Sequence, residues 1–245
     1  MSENGHDHAH EETRNERSPW AARIRAIGEL LEERGVFTKE EVEAQVEYME
    51  ARTYENGARI VARAWVDPAF KRHLLSDTKA AAAELGVDAS GTIEFATVEN
   101  TDEVHNVIVC TLCSCYPRAI LGIPPDWYKS FAYRSRVVAE PREVLREFGL
   151  VVPEDKRVAV HDSSADLRYL VLPQRPEGTE GMGEDELAAL VTRDSLIGTD
   201  VPRATREANR VLGSDRLLQP TLREPTLSAK CQLHYLSPCH LEGVA

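Results

Sequence analysis

Hydrophobic positions in the first part of the chain recur at helical spacing. Residues 19–33 carry an apolar stripe that is followed by Gly35, a pattern that predicts one amphipathic helix. Thr38 and Glu41 are spaced as a capping box, which predicts a second helix to about Ala51. The stripe consists of Trp20, Ile24, Ile27, Leu30 and Leu31. The two helices are interpreted as an N-terminal arm whose apolar stripes need another surface to cover them.

Beyond the arm the pattern mixes helical and alternating segments. The predicted helices cover residues 56–66, 67–75, 77–85, 141–148 and 184–191. Gly86 and Gly149 follow the third and the fourth of these and are expected to end them, since glycine adopts the left-handed conformation common after helices. The predicted strands cover residues 93–97, 106–110, 157–160 and 167–172, the last two on either side of the turn Asp162-Ser163-Ser164. We therefore expect an α+β layered domain.

Composition and charge exclude several classes of function. The 245 residues carry a net charge of −12 without a long Lys/Arg cluster, which argues against nucleic-acid binding. No run of about 18 apolar residues is present to span a bilayer. The N-terminal residues 1–18 lack the basic and apolar regions of a signal peptide, so we expect a cytoplasmic protein. In that reducing compartment, clustered thiols are ligands or reactive groups more readily than disulfides.

Three of the five cysteines lie within six residues, Cys110-Thr111-Leu112-Cys113-Ser114-Cys115, directly after a predicted strand. If Cys113 and Cys115 bind one metal ion, the amides of Ser114 and Cys115 lie close to it and become candidate ligands. With Cys110, such a site has five anionic donors, which suits low-spin cobalt(III) or iron(III) with an open sixth position for Lewis-acid chemistry. Two alternatives remain open: a three-thiolate zinc or iron–sulfur site completed by a distant histidine, and a buried trio of structural thiols.

The segment VCTLCSCYPRAILGIPPDWYKSFAYRSRVV, residues 109–138, closely resembles the metal-binding segment of nitrile hydratase α subunits and of the related thiocyanate hydrolase γ subunits. The resemblance covers about residues 18–200 and includes RYLV at 168–171 and RPEGTEG at 175–181. It implies a layered α/β/β/α domain with an N-terminal helical arm that wraps around a β subunit.

The resemblance also implies the ligand set. The counterparts of Cys110, Cys113 and Cys115 supply three sulfurs, and the amides of Ser114 and Cys115 supply two nitrogens. Cys113 would be oxidised to a sulfinic acid and Cys115 to a sulfenic acid. Thr111 stands where iron-containing members have serine, so cobalt(III) is expected in preference to iron(III), one ion per chain. One or two β-subunit chains would supply arginines that clamp the oxidised sulfurs.

The implied activity is the hydration of a nitrile to an amide, a hydro-lyase reaction of nitrogen metabolism. The metal would polarise the nitrile, and water or the Cys115 sulfenate oxygen would attack its carbon; Cys113 and Ser114 complete the expected catalytic group. The resemblance divides the chain into a disordered His-rich tail (1–17), the helical arm (18–52), a catalytic metal-binding domain (53–200) and an extended or disordered C-terminal tail (201–245).

The sequence departs from the usual cobalt nitrile hydratase near the cysteines. Arg118 stands where these enzymes carry tryptophan and thiocyanate hydrolase carries arginine. In a substrate channel it would favour thiocyanate or a polar, anionic nitrile. The alternative is an arginine that extends to the surface or pairs with a carboxylate of the partner. Trp127 is a second candidate for the channel wall. Residues 89–92 lack the glutamine that the family often has about nineteen residues before the first cysteine. His105 is expected to hydrogen bond in the core, and not to bind metal.

Three functions therefore remain as hypotheses. The leading one is the catalytic α subunit of a cobalt nitrile hydratase. The second is the catalytic γ subunit of a thiocyanate hydrolase, which converts thiocyanate to carbonyl sulfide and ammonia; Arg118 and the His-rich start, His6, His8 and His10, support it. The third is a non-catalytic metal-binding or assembly protein. Cys231 and Cys239, with His234 and His240, form a further candidate zinc site in the C-terminal tail whose spacing matches no established pattern.

Overall fold

The computed structural model describes residues 19–204, which fall into two compact units, one up to Ala51 and one from Arg52 onward. The first unit contains helices α1 (Pro19–Glu33) and α2 (Lys39–Glu50), both at the predicted positions. The predicted capping box is present, because Glu41 N donates to Thr38 Oγ1 (3.2 Å) and Thr38 N donates to Glu41 Oε2 (2.7 Å). The apolar stripe of α1 is exposed, with Trp20 at 67%.

The second unit contains nine helices and four strands among the described residues. The helices are α3 (Tyr54–Val66), α4 (Pro68–Ser76), α5 (Thr78–Glu84), α6 (Arg118–Leu121), α7 (Asp126–Lys129), α8 (Phe131–Arg136), α9 (Pro141–Glu147), α10 (Glu184–Ala188) and α11 (Arg193–Ile197). Asp67 explains why α4 starts where it does: its carboxylate accepts hydrogen bonds from Ala69 N and Phe70 N, and Pro68 occupies the first helical position.

One predicted helix is too long and several short ones were not predicted. The helix expected over 184–191 ends at Ala188, because Leu190 N and Val191 N donate to carbonyls three residues back and no longer four. The chain then becomes extended at Thr192 (φ −105°, ψ 159°), which caps α11. Helices α6, α7, α8 and α11 have four to six residues each, which is too short for a periodic hydrophobic pattern to show them.

The strands form two parallel pairs. β1 (Glu94–Glu99) pairs with β4 (Leu167–Leu172), and β2 (Val104–Val109) pairs with β3 (Arg157–Asp162). All four strands lie where the sequence predicts them. The strands on either side of the predicted turn, β3 and β4, belong to different sheets, so the turn joins the sheets and does not close a hairpin.

The elements are arranged in layers. Helices α4 and α5 pack on β1, the two sheets contact each other through β2 and β4, and α9 packs on β3. The α+β class is therefore confirmed, with helices covering both sheets. The core between the layers contains large side chains that are fully buried, each of which contributes about 1.5–3 kcal/mol on removal from water. The largest are Tyr128, Tyr133, Ile60, Leu74, Ile108, Ile120, Leu121, Leu145, Leu170, Leu172, Leu187 and Leu190.

A buried polar network joins the two sheets. Asn106 of β2 donates its backbone N–H to the side-chain oxygen of Asn100 (2.7 Å), and its Nδ2 donates to the carbonyl of Glu99 in β1 (2.7 Å). His105 Nε2 lies 2.7 Å from the carbonyl oxygen of Gly198. The prediction that His105 makes a core hydrogen bond is confirmed, and burial lowers its pKa.

Candidate metal centre

The three cysteines converge at the end of β2. Cys110 directly follows Val109, the last residue of that strand, and is 1% exposed. Cys113 Sγ lies 3.4 Å from Cys110 Sγ and 3.0 Å from Cys115 Sγ, and all three sulfurs lie within 4.8 Å of one another. The chain returns on itself because Cys113 N donates to Cys110 Sγ (3.3 Å). The cysteine turn, residues 110–115, thus brings three soft donors to one point.

Two sets of contacts hold the cysteine turn in place. Asp162, the last residue of β3, accepts from Thr111 N at Oδ1 (2.9 Å) and from Thr111 Oγ1 at Oδ2 (2.6 Å). On the other side, Tyr128 OH donates to the carbonyl of Cys115 (2.9 Å), and Arg134 Nη1 donates to the carbonyl of Thr111 (3.2 Å). The turn is therefore tied to a strand and to two helices, and its conformation does not depend on its own short-range bonds alone.

The charge state of the sulfurs fits a cation. The side-chain hydrogen bonds from Cys115 and Cys110 lower the pKa of Cys113 to about 7, whereas burial and the same neighbours raise the pKa of Cys115 to about 12. The first thiolate forms readily on the central sulfur, and a further negative charge beside it is unfavourable. A metal ion among the three sulfurs would stabilise all three thiolates at once. The three sulfurs, with the backbone N–H groups of Ser114 and Cys115 hydrogen-bonded to Cys113, form a donor set that suits a thiolate-binding metal ion.

A cavity of about 370 Å³ opens beside the cysteine turn. Four of the predicted site residues form part of its wall: Cys113, Ser114, Cys115 and Arg118, which is the first residue of α6. Cys110 does not line the cavity and lies on the buried side of the cluster. The remaining lining residues are Arg52, Ser90, Ile93, Phe95, Tyr116, Ala119 and Arg168.

Trp127 lies elsewhere. It is 7% exposed and packs edge-on against Tyr133 (centroids 4.9 Å apart) and Phe148 (4.6 Å). It is not among the residues that line the cavity of this chain. Its neighbour Tyr128 reaches the cysteine turn through its hydroxyl, so Trp127 supports the turn from the core and does not form the cavity wall.

Sequence reasoning missed two cationic residues of the cavity, Arg52 and Arg168. Arg52 follows the N-terminal arm and Arg168 lies in β4, opposite Phe95 in the parallel register. Neither is near the cysteines in sequence. Arg168 begins the RYLV segment at 168–171, but nothing in that segment indicates a place beside the cysteines. Ser90, in the segment 89–92, also lies in the cavity wall.

Two further expectations concern other parts of the chain. His6, His8, His10, Cys231 and Cys239 lie outside the described residues. Within residues 19–204, no helix is long and apolar enough to cross a membrane, and Cys110, Cys113 and Cys115 form the one cluster of three or more potential metal ligands found there.

Comparisons with known proteins agree with the geometry. A family model described as "Nitrile hydratase, alpha chain" matches residues 18–200. The low-molecular weight cobalt-containing nitrile hydratase subunit alpha of Rhodococcus rhodochrous is 50% identical over 194 residues, 77% of this chain and 91% of that protein. The thiocyanate hydrolase subunit gamma of Thiobacillus thioparus is 43% identical over 189 residues, 73% of this chain and 78% of that protein.

The fold is similar to that of solved structures as well. A double mutant of the Fe-type nitrile hydratase from Comamonas testosteroni Ni1 superimposes with a TM-score of 0.71 at 44% identity, covering 76% of this chain and 91% of that chain. Both cobalt- and iron-containing proteins thus occur among the relatives. With the family model spanning most of the chain and a convergent trio of cysteines at its centre, the protein belongs to the nitrile hydratase α-chain family.

Proposed function

We propose that this chain is the catalytic, metal-binding α subunit of a cobalt nitrile hydratase, which hydrates a nitrile to the corresponding amide. The observation that carries the proposal is the convergence of Cys110, Cys113 and Cys115 beside a cavity large enough for a small organic substrate. The sulfur of Cys113 lies 3.4 Å from that of Cys110 and 3.0 Å from that of Cys115. Relatives named as cobalt-containing nitrile hydratase α subunits support the same assignment.

The three sulfurs and the amides of Ser114 and Cys115 would hold one cobalt(III) ion. The relatives' names and Thr111 favour cobalt, while the Fe-type relative makes iron(III) the alternative metal. We infer that Cys113 is oxidised to the sulfinic acid and Cys115 to the sulfenic acid, as the family resemblance implies. Because Cys113 and Cys115 line the cavity and Cys110 is buried behind them, the two sulfurs proposed to be oxidised are those that an oxidant can reach.

The reaction adds one water across the carbon–nitrogen triple bond: the carbon gains the oxygen and the nitrogen gains both hydrogens. A bound trivalent metal would supply Lewis-acid polarisation of the nitrile. The residues of this chain hold the reactants. Ile93 and Phe95 provide an apolar wall for the substrate's carbon chain, and Ser114 places a hydroxyl beside the sulfurs. Either water or an oxygen on Cys115 would attack the nitrile carbon, since both occupy the same small space.

A β subunit, as one or two chains, is the proposed partner. The relatives are named as subunits, and this chain presents surfaces that a partner would cover. Leu112, within the cysteine turn, is 89% exposed, and Trp20, Ile24, Ile27 and Leu30 of the apolar stripe of α1 are exposed as well. Arginines from the partner would clamp the oxidised sulfurs through charge-assisted hydrogen bonds.

Thiocyanate hydrolysis is the second candidate activity. Arg118 lines the cavity, and a relative named thiocyanate hydrolase subunit gamma is 43% identical. In this reaction the thiocyanate carbon exchanges its nitrogen for a water oxygen, giving carbonyl sulfide and ammonia. A third outcome, a metal-binding protein without turnover, would show a stoichiometric metal site with oxidised cysteines and no activity on either substrate class.

Metal analysis of the complex purified with its partner tests the proposal. Cobalt close to one ion per chain, together with amide formation from nitriles, is the expected result. Mass spectrometry of the peptide that contains the cysteine turn should show two additional oxygens on Cys113 and one on Cys115. Cobalt with carbonyl sulfide release and no amide would favour the thiocyanate hydrolase, and zinc or no metal would contradict both enzymes.

A further inference from the structure

Positive charge is concentrated around the cavity of an otherwise acidic chain. The protein has 41 acidic and 29 basic residues, yet the cavity beside the cysteine turn is lined by three arginines, Arg52, Arg118 and Arg168, and by no aspartate or glutamate. The three come from separate parts of the second unit: Arg52 lies two positions before α3, Arg118 begins α6, and Arg168 lies in β4. This convergence is a property of the tertiary structure and marks the cavity as a site for an anion.

The three arginines differ in whether a carboxylate of the same chain lies close to the guanidinium group. Arg52 Nη2 lies 3.6 Å from Asp88 Oδ2, so part of its charge is balanced within the chain. Arg118 and Arg168 have no carboxylate within 4 Å among residues 19–204, although the Arg168 guanidinium makes one long contact (3.5 Å) to the carbonyl of Leu167. Arg118 is exposed to the cavity and is the strongest candidate to meet a ligand's charge.

Resting on the proposed nitrile hydratase activity, we propose that the substrate is an anionic nitrile, with a carboxylate at the end of the molecule away from the cyano group. The cyano group would point to the cysteine turn, the methylene groups would lie against Ile93 and Phe95, and the carboxylate would meet Arg118 and Arg168. A guanidinium group can donate two parallel hydrogen bonds to one carboxylate, whereas the compact ammonium group of lysine cannot make this paired contact.

The apolar part of the cavity wall favours this class of anion over thiocyanate. The cavity of about 370 Å³ has room for a ligand of several heavy atoms, since each water in the liquid occupies about 30 Å³. Thiocyanate has three atoms and no carbon chain to lie against an apolar wall. A short carbon chain can pack against the apolar wall formed by Ile93, Phe95 and Ala119, and so small an ion cannot.

The arginines could alternatively serve the metal site itself. Five anionic donors around a trivalent ion leave two negative charges, and the proposed partner arginines already address the oxidised sulfurs. The positive charge of the three arginines of this chain is therefore not needed to balance the charge of the metal site. The two roles are separable by experiment, because a charge that serves the metal affects every substrate equally, whereas a charge that binds the substrate discriminates between charged and neutral substrates.

The test compares 3-cyanopropanoate with 3-cyanopropanamide, which have the same number of heavy atoms and differ in charge. With the cobalt-loaded complex at low ionic strength, we expect kcat/KM for the anion to exceed that for the amide by about tenfold. Salt at about 0.5 M should reduce this ratio, because the arginines are partly open to solvent and are screened. Arg118→Gln should reduce the ratio by about tenfold, mainly through KM, and Arg118→Lys should reduce it less.

The matched control is Arg146→Gln. Arg146 lies on α9, pairs with Glu143 at 2.5 Å and does not line the cavity, so its loss removes one charge and should leave the ratio unchanged. Cobalt content and thermal unfolding of each variant are measured alongside. A fall in cobalt content with an equal loss of activity on both nitriles in Arg118→Gln would assign the arginine to the metal site and overturn the proposal.

The remaining outcomes separate this inference from the proposed function. Hydration of neutral nitriles with no preference for the anion, or a preference that Arg118→Gln does not change, would overturn the anionic substrate and leave the nitrile hydratase assignment standing. Hydrolysis of thiocyanate with no hydration of any nitrile would overturn both.

Discussion

The two hydrogen bonds between Asp162 and Thr111 are expected to determine how well the cysteine turn retains metal. Asp162→Asn keeps the size of the side chain but replaces a charged acceptor by one oxygen and one amide nitrogen. In the unmodified protein the carboxylate of Asp162 accepts hydrogen bonds from both Thr111 N (2.9 Å) and Thr111 Oγ1 (2.6 Å). Without rearrangement, the amide of asparagine can accept from only one of these two donors. Since Asp162 is exposed, the loss is about 1–2 kcal/mol, at the low end for bonds to a charged group.

The lost hydrogen bond destabilises the conformation of the cysteine turn in which the three sulfurs lie together. Contacts that orient metal ligands from outside the ligand set typically change affinity or activity by about 10- to 100-fold. Because Asp162 is exposed, we expect an effect at the low end of this range. The Asp162→Asn variant should need about a tenfold higher cobalt concentration during expression to reach one cobalt ion per chain. The assay is cobalt per chain, measured in complexes expressed over a series of cobalt concentrations, with cysteine oxidation followed on the same samples.

A matched control lies four residues along the chain. The side chain of Asp166 makes no hydrogen bond within the described residues, so Asp166→Asn removes the same charge without touching the cysteine turn. Thr111→Ser keeps both donors, and Thr111→Val removes only the hydroxyl. Equal cobalt loading in Asp162→Asn and Asp166→Asn, at every cobalt concentration, would refute the idea that this tether positions the ligands.

Three other variants test separate parts of the structure. Cys113→Ala removes the central sulfur and should abolish cobalt retention; a variant that still holds cobalt and turns over would refute the ligand assignment. Gly122→Ala should lower the free energy of unfolding by about 2–4 kcal/mol, because Gly122 has φ +70° and an added Cβ would lie 2.2 Å from the carbonyl oxygen of Arg52; an unchanged melting temperature would contradict that packing. Burial lowers the pKa of His105 below its ordinary 6.5, so the folded protein binds fewer protons than the unfolded chain, and stability that is present above about pH 6.5 should be lost as the pH falls further. The loss between about pH 7 and 5 should be smaller in His105→Gln, measured by urea unfolding, and an identical pH dependence would show that His105 does not contribute.

The local features of this protein could be read from its sequence. The capping box of Thr38 and Glu41, the helix start at Asp67-Pro68 and the four strands depend on contacts over a few residues, and all lie where they were predicted. The cysteines are marked by their spacing in the sequence, but an extended segment of this length would place the first and the last about 16 Å apart. Their convergence therefore also depends on the contacts that hold the turn.

Prediction was weaker where an element is short or where a change in backbone hydrogen bonding ends it. Helix α10 ends at Ala188 because Leu190 N and Val191 N donate to carbonyls three residues back, a change that hydrophobic spacing does not show. The sequence left Trp127 with two interpretations, a core residue and a residue of the channel wall. In the fold it packs into the aromatic core with Tyr133 and Phe148, because the large ring gains more by burial there.

What the sequence determined by itself is the longer helices, the four strands, the cluster of three cysteines and the family, because these follow from covalent spacing and from residues near one another in the chain. The tertiary structure alone decided the parallel pairing of β1 with β4 and of β2 with β3, the tether from Asp162 to the cysteine turn, and the meeting of Arg52, Arg118 and Arg168 around one cavity. Residues separated by 50 or more positions meet only when the layers pack, and the packing energy that selects one arrangement is spread over the whole core, with no single motif to mark it.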